Sequence, residues 1–233
     1  MLRLNRFTEA ETFLKEAIAL DEANVAEKSI LVKRLMDYST LAQFTSPAKM
    51  DTLANLKWAE VNLQDSYTEL ADCLLSQKTR IKEAESLIKK AMTIVNKEFV
   101  IPAYQYQSLI SLSRCYRLQG RLKEAEQLSK RAAAIIGQDP GIGKSDRASS
   151  DYELASCYFE EGRLGEAEPL YKRALALMEE EHGWTDPTCD LVRQGLAQCY
   201  KSEGKSAEAE LLLHARVGGK QYTSTSTSTS TKL

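Results

Sequence analysis

Leu154-Ala-Ser-Cys-Tyr-Phe-Glu-Glu-Gly-Arg-Leu-Gly-Glu-Ala-Glu-Pro-Leu-Tyr-Lys-Arg-Ala-Leu175 decides the fold of this chain. Leu154, Ala155 and Tyr158 recur at helical spacing, which predicts a helix over 147–161 with Ser149 or Asp151 as its cap. Gly162 follows, the residue best able to take the left-handed conformation that ends a helix. Ala167, Leu170, Tyr171, Ala174, Leu175 and Met178 then return every three or four residues and predict a second helix over 164–180. The alanines at 155, 167 and 174 are small where the two helices approach closely. Gly183-Trp184-Thr185-Asp186-Pro187 breaks the second helix, and Pro187 suits the first turn of the next.

The same hairpin recurs outward in both directions. Cys115-Tyr116, Cys157-Tyr158 and Cys199-Tyr200 are 42 residues apart (157−115 and 199−157), as are Gly120, Gly162 and Gly204. The triplets beginning at Glu124, Glu166 and Glu208 keep the same spacing. Such a period marks stacked helical units rather than one globular core, and solenoids of this kind work as binding surfaces. Downstream, Leu196, Ala197 and Tyr200 lead to Gly204, Ala209 and Leu212; Arg216 stands at the place of Ala174, as a terminal cap would have it. Upstream, Pro102 marks the entry to a unit carrying Leu112, Ser113 and Tyr116. One unit earlier, Leu70, Ala71, Cys73 and Leu74 lead through a glycine-free turn, one residue longer, to Ala84 and Ala91. Asn5-Arg-Phe-Thr-Glu-Ala-Glu11 matches Gly162–Glu168, with Asn5 in the glycine's place. The chain therefore opens half a repeat in, and a shortened chain is preferred over a lone capping helix. Glu22 to Phe44 reads as one helix, broken at Ser46-Pro47, and 52–75 as another long one.

Seven segments follow: 1–20, a second helix alone; 21–51, an irregular helical connection; 52–99, a diverged repeat; 100–141 and 142–183, full repeats; 184–217, a terminal repeat; and 218–233, a Thr/Ser tail too polar to order. The expected fold is all-α.

Composition excludes several functions. A net charge of −2 over 233 residues gives no basic field for nucleic acid. No apolar run reaches the roughly 18 residues that a membrane span needs, and the N-terminus does not read as a secretory signal. Of five cysteines, Cys73, Cys115, Cys157 and Cys199 sit at equivalent places about one helix spacing (~10 Å) apart, too far to bridge. They are read as reduced, packed thiols, with Cys189 the odd one; this points to a reducing, cytoplasmic setting. His182 and His214 lack ligand-like neighbours, so neither a metal nor another cofactor is expected. Gly141-Ile-Gly-Lys-Ser145 suggests a phosphate loop, but the pattern needs glycine where Gln138 stands and a strand where an alanine-rich helix precedes it. The carboxylates of the second helices, such as Glu168 with Lys172, read as i, i+4 pairs. The final Thr-Lys-Leu is only a weak peroxisomal address.

These anchors resemble the tetratricopeptide repeat. Leu154, Ala155, Tyr158, Ala167, Tyr171 and Ala174 follow the family's large-small-aromatic-small-aromatic-small spacing. The repeat is longer than the usual one of about 34 residues, and Leu-Ala-x-Cys-Tyr with Gly-Arg, Glu-Ala-Glu-Pro-Leu-Tyr-Lys-Arg-Ala-Leu and Asp-Pro is similar to the kinesin-light-chain type. The resemblance spans 100–217 and, more loosely, 52–99 and 5–20. It implies a right-handed superhelical solenoid of antiparallel helix pairs, with first helices lining a concave groove that takes a protein or peptide ligand.

Helix geometry then names the groove. If Leu154, Ala155 and Tyr158 face the second helix, Ser149, Tyr152, Ser156, Phe159 and Glu160 face outward. The same register offers Gln107, Ile110, Arg114, Arg117 and Leu118 before it, and Leu191, Gln194, Gln198 and Lys201 after it. One unit earlier it offers Asp65, Thr68, Asp72 and Leu75. The core set is Tyr152, Ser156, Phe159, Arg114, Arg117, Gln107, Gln194, Gln198 and Asp72, since aromatic and Arg groups anchor interfaces. The family's chaperone-type carboxylate clamp needs Lys and Asn that these places lack. Tyr152-Glu153 and Gln194-Gly195 stand where kinesin light chains carry Asn-Asn, which argues against a motor-cargo peptide. A non-enzymatic scaffold is thus expected. The alternative is a sensor or assembly module of a larger signalling protein or enzyme complex; a third reading is self-association through the open N-terminal end.

Overall fold

The computed structural model describes residues 2–37, 47–78, 80–95, 105–183, 186 and 189–218. Nine helices occur among them: α1 (Leu2–Asp37), α2 (Pro47–Gln77), α3 (Ile81–Val95), α4 (Gln105–Leu118), α5 (Leu122–Gln138), α6 (Lys144–Glu160), α7 (Leu164–His182), α8 (Cys189–Ser202) and α9 (Ser206–Gly218). They form two units, Met1–Ile142 and Gly143–Leu233. Within each unit every helix packs against the next in sequence, and first helices also touch: α2 with α4, α6 with α8. This is the antiparallel pairing that the repeat implies, in a tetratricopeptide-like fold.

The turn glycines explain why each hairpin closes. Gly120, Gly162 and Gly204 have φ of 76°, 76° and 81°. At each, the glycine N–H donates three residues back and the next N–H donates five back, for example Gly162 to Phe159 O (3.0 Å) and Arg163 to Tyr158 O (2.9 Å). These bonds satisfy carbonyls that a helix end leaves open. The residue after the glycine then starts the second helix: Arg121 and Arg163 each fork both guanidinium arms onto the carboxylate three residues on, Glu124 and Glu166.

One turn lacks glycine and is one residue longer, yet keeps the left-handed residue and its bond three residues back. Lys78, 42 residues before Gly120, adopts φ 56° and donates to Leu75 O at 3.1 Å. A side chain in the left-handed region is strained by about 1–2 kcal/mol. Lys78→Gly is therefore expected to stabilise the Met1–Ile142 unit by about 0.5–1 kcal/mol after the added freedom of the unfolded chain is counted. Urea unfolding followed by circular dichroism checks this; a lower midpoint would contradict it.

The unit Met1–Ile142 buries Leu63, Leu70, Ala71, Leu74, Ala84, Ile88 and Ala91 around α2 and α3, and Leu109, Ala132 and Ile136 between α4 and α5. The unit Gly143–Leu233 buries Leu154, Ala155, Ala167, Tyr171, Ala174, Leu196, Ala197 and Leu212. The close-approach position holds Ala71, Ser113, Ala155 and Ala197 in turn, all buried. Ser113 remains compatible because its hydroxyl donates to Ala125 O (2.8 Å) and meets Ser129 Oγ (2.6 Å).

Several expectations are corrected. α1 runs unbroken across residues 20 and 21, and Asn5 is helical, not a turn. No Gly or Pro occurs before Pro47, so nothing forces an end that a helix would have to break to make. α6 starts at Lys144 behind an extended Gly143, so Ser149 and Asp151 are interior. Asp151 instead accepts both arms of Arg173 at 2.5 Å. All five cysteines are free, but the four buried ones are Cys115, Cys157, Cys189 and Cys199, whereas Cys73 is partly exposed. Pro102, Pro187, the 38–44 part of the expected Glu22–Phe44 helix, Ser46 of the expected break, and 219–233 of the tail lie outside the described residues. No helix of the described residues is long and apolar enough to cross a membrane.

Candidate functional site

The expected outward residues recur along the sequence one repeat apart, Asp72, Arg114, Ser156 and Gln198 among them (114−72, 156−114 and 198−156 are each 42). In the unit Met1–Ile142 the first two members meet. Arg114 Nη1 donates to Asp72 Oδ1 at 3.2 Å, and Ser111 Oγ donates to Asp72 Oδ2 at 3.1 Å. Both charged side chains stay partly open to solvent. Gln107 is exposed and Arg117 half-buried. Burial, and then the charge of Glu69, pushes the Asp65 carboxyl up. Thr68, Leu75 and Ile110 turn inward. Thr68 Oγ1 lies 3.5 Å from Ser108 Oγ, so its position belongs to the seam between α2 and α4.

In the unit Gly143–Leu233, Gln194, Gln198 and Lys201 of α8 are exposed, and Leu191 beside them is 56% exposed. Phe159 is partly buried and packs on the core. Ser156 is a correction: only 4% exposed, it donates to Tyr152 O (2.8 Å) and meets the Tyr171 hydroxyl at 3.1 Å. A buried phenol needs a hydrogen-bond partner, and Ser156 supplies it. Ser156 therefore leaves the candidate surface.

Tyr152 is half in and half out. Its ring meets Tyr171 edge-to-face, with centroids 5.8 Å apart and planes at 61°. A Cβ on Gly195 of α8 would lie 2.7 Å from Tyr171 Cε1 and 3.3 Å from Tyr152 Cε2. The glycine inside α8 thus makes room for two rings. The sequence signal was available: Glu153, Ser111 and Glu69 occupy the same place in the other units, and only here is the side chain absent.

A second arrangement was not foreseen. The cation after each turn glycine covers the tyrosine that ends the first helix: Arg121 lies 3.6 Å from the Tyr116 ring centre, Arg163 4.1 Å from Tyr158, and Lys205 5.5 Å from Tyr200. Lys205 also joins Lys172 on Glu168, at 2.9 and 2.5 Å. Burial opposes ionisation of Glu168, but these bonds outweigh it and hold the carboxyl at about 2. Its folded value lies below the ordinary 4.5, so its stabilisation is full above pH 4.5 and is lost as pH falls toward 2. Glu168→Gln is expected to flatten the acid limb of urea stability in that window; an unchanged limb would show that Glu168 does not govern it.

The glycines at 141 and 143 follow helix α5 and not a strand. Ser145 there donates to Glu181 Oε2 (2.8 Å) and meets His182 Nε2 (2.8 Å), while Lys144 pairs with Glu180. This segment ties α6 to the end of α7.

Residues 146–214 match the tetratricopeptide repeat family. Among solved structures, BtubC (BKLC) from P. vanneervenii superposes with a TM-score of 0.60 at 19% identity, over 89% of this chain and 75% of that one. A variant of a Podosopora anserina protein, assigned as a kinesin light chain with nearly identical TPR-like repeats, superposes at 0.52 with 20% identity, over 94% and 97%. At these identities the likeness is one of fold. No curated protein sequence matches the chain. The family match spans less than a third of the chain, and proteins with such repeats are generally protein–protein interaction modules.

Proposed function

We infer that this chain, with its tetratricopeptide repeats, is a non-enzymatic scaffold that holds a protein or peptide segment against the outward faces of its first helices. The observation that carries this reading is the open row on α8. Leu191, Gln194, Gln198 and Lys201 are all exposed, while Cys189, Val192, Leu196 and Cys199 of the same helix are buried. An exposed leucine among amide side chains offers apolar contact beside donors and acceptors that an extended backbone can use. Phe159 and the open edge of Tyr152 are further proposed contacts in the same unit; in the unit Met1–Ile142, Gln107, Arg117 and Arg114 with Asp72 form a proposed contact surface of their own. The free thiols support a reducing compartment: burial pushes Cys115 and Cys199 up to about 11, so they stay protonated and inert.

The test is affinity capture with the whole chain, followed by mass spectrometry, against a Leu191→Ala/Gln194→Ala/Gln198→Ala variant. These side chains are exposed, so the variant keeps its helicity. Specific partners should be lost or weakened about tenfold with this variant. Equal capture by both forms removes the first-helix face from consideration.

A further inference from the structure

α6 carries two aromatic side chains on one stripe. Tyr152 and Phe159 are seven residues apart. On a helix that is two turns, about 10.5 Å along the axis and nearly the same side. Both rings are only partly buried, although α7 and α8 are packed against α6. Their inner parts lie on the core, and Tyr152 is braced edge-to-face on Tyr171. The two rings are therefore held at a fixed separation.

α8 brings donors beside them. Its backbone comes close to Tyr152 at Gly195, where a Cβ would lie 3.3 Å from Tyr152 Cε2. The residue before Gly195 is Gln194, and Gln198 and Lys201 follow on the same side of α8 at helical spacing. All three are exposed, and none makes a hydrogen bond or ion pair with another described residue. Two amides and an ammonium thus have N–H groups to offer a ligand.

Spacing and donors together select the shape of a bound segment. A β-type peptide returns to the same face every second residue, at about 6.6 Å and again at about 13 Å, and neither matches the rings. An α-helix returns after seven residues at about 10.5 Å, but the carbonyls along its length are already bonded within it. A polyproline II helix returns every third residue, at about 9.3 Å, and none of its carbonyls is bonded internally. The remaining difference of about 1 Å is small against the breadth of a ring. Proline also lacks an N–H, so such a segment brings acceptors to a row of donors and few donors of its own.

We propose that the Tyr152–Phe159 stripe, with Gln194, Gln198 and Lys201 beside it, takes a proline-rich segment of a partner protein in the polyproline II conformation. This deepens the scaffold reading above and rests on it. Prolines three apart sit against the two rings, and the amides of α8 donate to the carbonyls of the segment. The preformed shape of the ligand keeps the loss of chain entropy on binding small.

Four fluorescein-labelled decapeptides test this against the whole chain by fluorescence anisotropy: decaproline, a peptide with proline at every third position in an Ala/Gln background, the same composition shuffled off that period, and a Gly/Ser peptide. The first two should bind, and the other two about tenfold more weakly or not at all. Gln194→Leu/Gln198→Leu, both on the surface, should weaken decaproline about tenfold with the circular dichroism of the chain unchanged. Phe159→Leu keeps an apolar side chain against the core and removes the ring; it should weaken the period-three peptide about fivefold. Equal binding of the shuffled peptide, or no binding of decaproline, overturns the proposal. So does preference for a helix-stabilised peptide with leucines seven apart, since a helix would then own the stripe. Partner capture that depends on Leu191, Gln194 and Gln198, with no proline peptide bound, leaves the scaffold reading standing and removes this inference alone; failure of both removes the two together.

Discussion

Gly195→Leu is expected to unfold the Gly143–Leu233 unit or leave it at the edge of stability. The glycine is buried in the middle of α8, where even a Cβ would lie 2.7 Å from Tyr171 Cε1 and 3.2 Å from its Cζ. Tyr171 is itself 2% exposed, held by Ser156 through its hydroxyl and by Tyr152 through its ring. The ring is tied at its hydroxyl and met by Tyr152, so a leucine on α8 is expected to push α7 and α8 apart. Overpacking of this kind costs typically 1–3 kcal/mol and more when backbone must shift. Gly195→Ala divides two effects. Alanine favours the helix by up to about 1 kcal/mol, whereas the contact opposes it. A net loss of about 1–2 kcal/mol is expected, because the clash meets a buried ring and not a flexible chain end. Chemical denaturation monitored by circular dichroism reads both variants. An alanine variant more stable than the parent would show that the rings have room to yield.

The second large effect is at Ile88. It is fully buried in α3 within the cluster that includes Leu70, Leu74 and Cys115. Its removal leaves a cavity between elements that are held apart by their other contacts. Ile88→Ala should lose about 2–5 kcal/mol and Ile88→Val about 1. The larger figure is a substantial share of the stability of a domain this size. Hydrogen exchange should show α2, α3 and α4 losing protection together in Ile88→Ala. A loss below about 1 kcal/mol would mean that these helices collapse readily into the space.

The repeat anchors were legible because each rests on a local demand. Left-handed backbone selects glycine at 120, 162 and 204, and close helix approach selects small residues at 71, 113, 155 and 197. The turn without glycine at 78 is one residue longer, as its sequence predicts, since α3 starts three residues after Lys78 and α5 two after Gly120; Lys78 nevertheless takes the left-handed conformation and carries the strain. The candidate surface was less legible. Residues pointing away from the second helix divide again between the neighbouring first helix and solvent. Spacing within one helix does not contain that division. Thr68, Ile110 and Ser156 went to the interior, whereas Gln107, Gln194 and Gln198 stayed outside.

By itself the sequence determined helical hairpins with a 42-residue period, their turn residues and the inward stripe of each helix, since these depend on neighbours within one or two turns of chain. Only the tertiary structure decided that α1 continues through Asn5, that Asp72 meets Arg114, and that Gly195 yields its space to Tyr171. Those outcomes depend on which second surface reaches a side chain across a repeat, and contacts between residues forty positions apart are set by packing and not by the periodicity that places each helix.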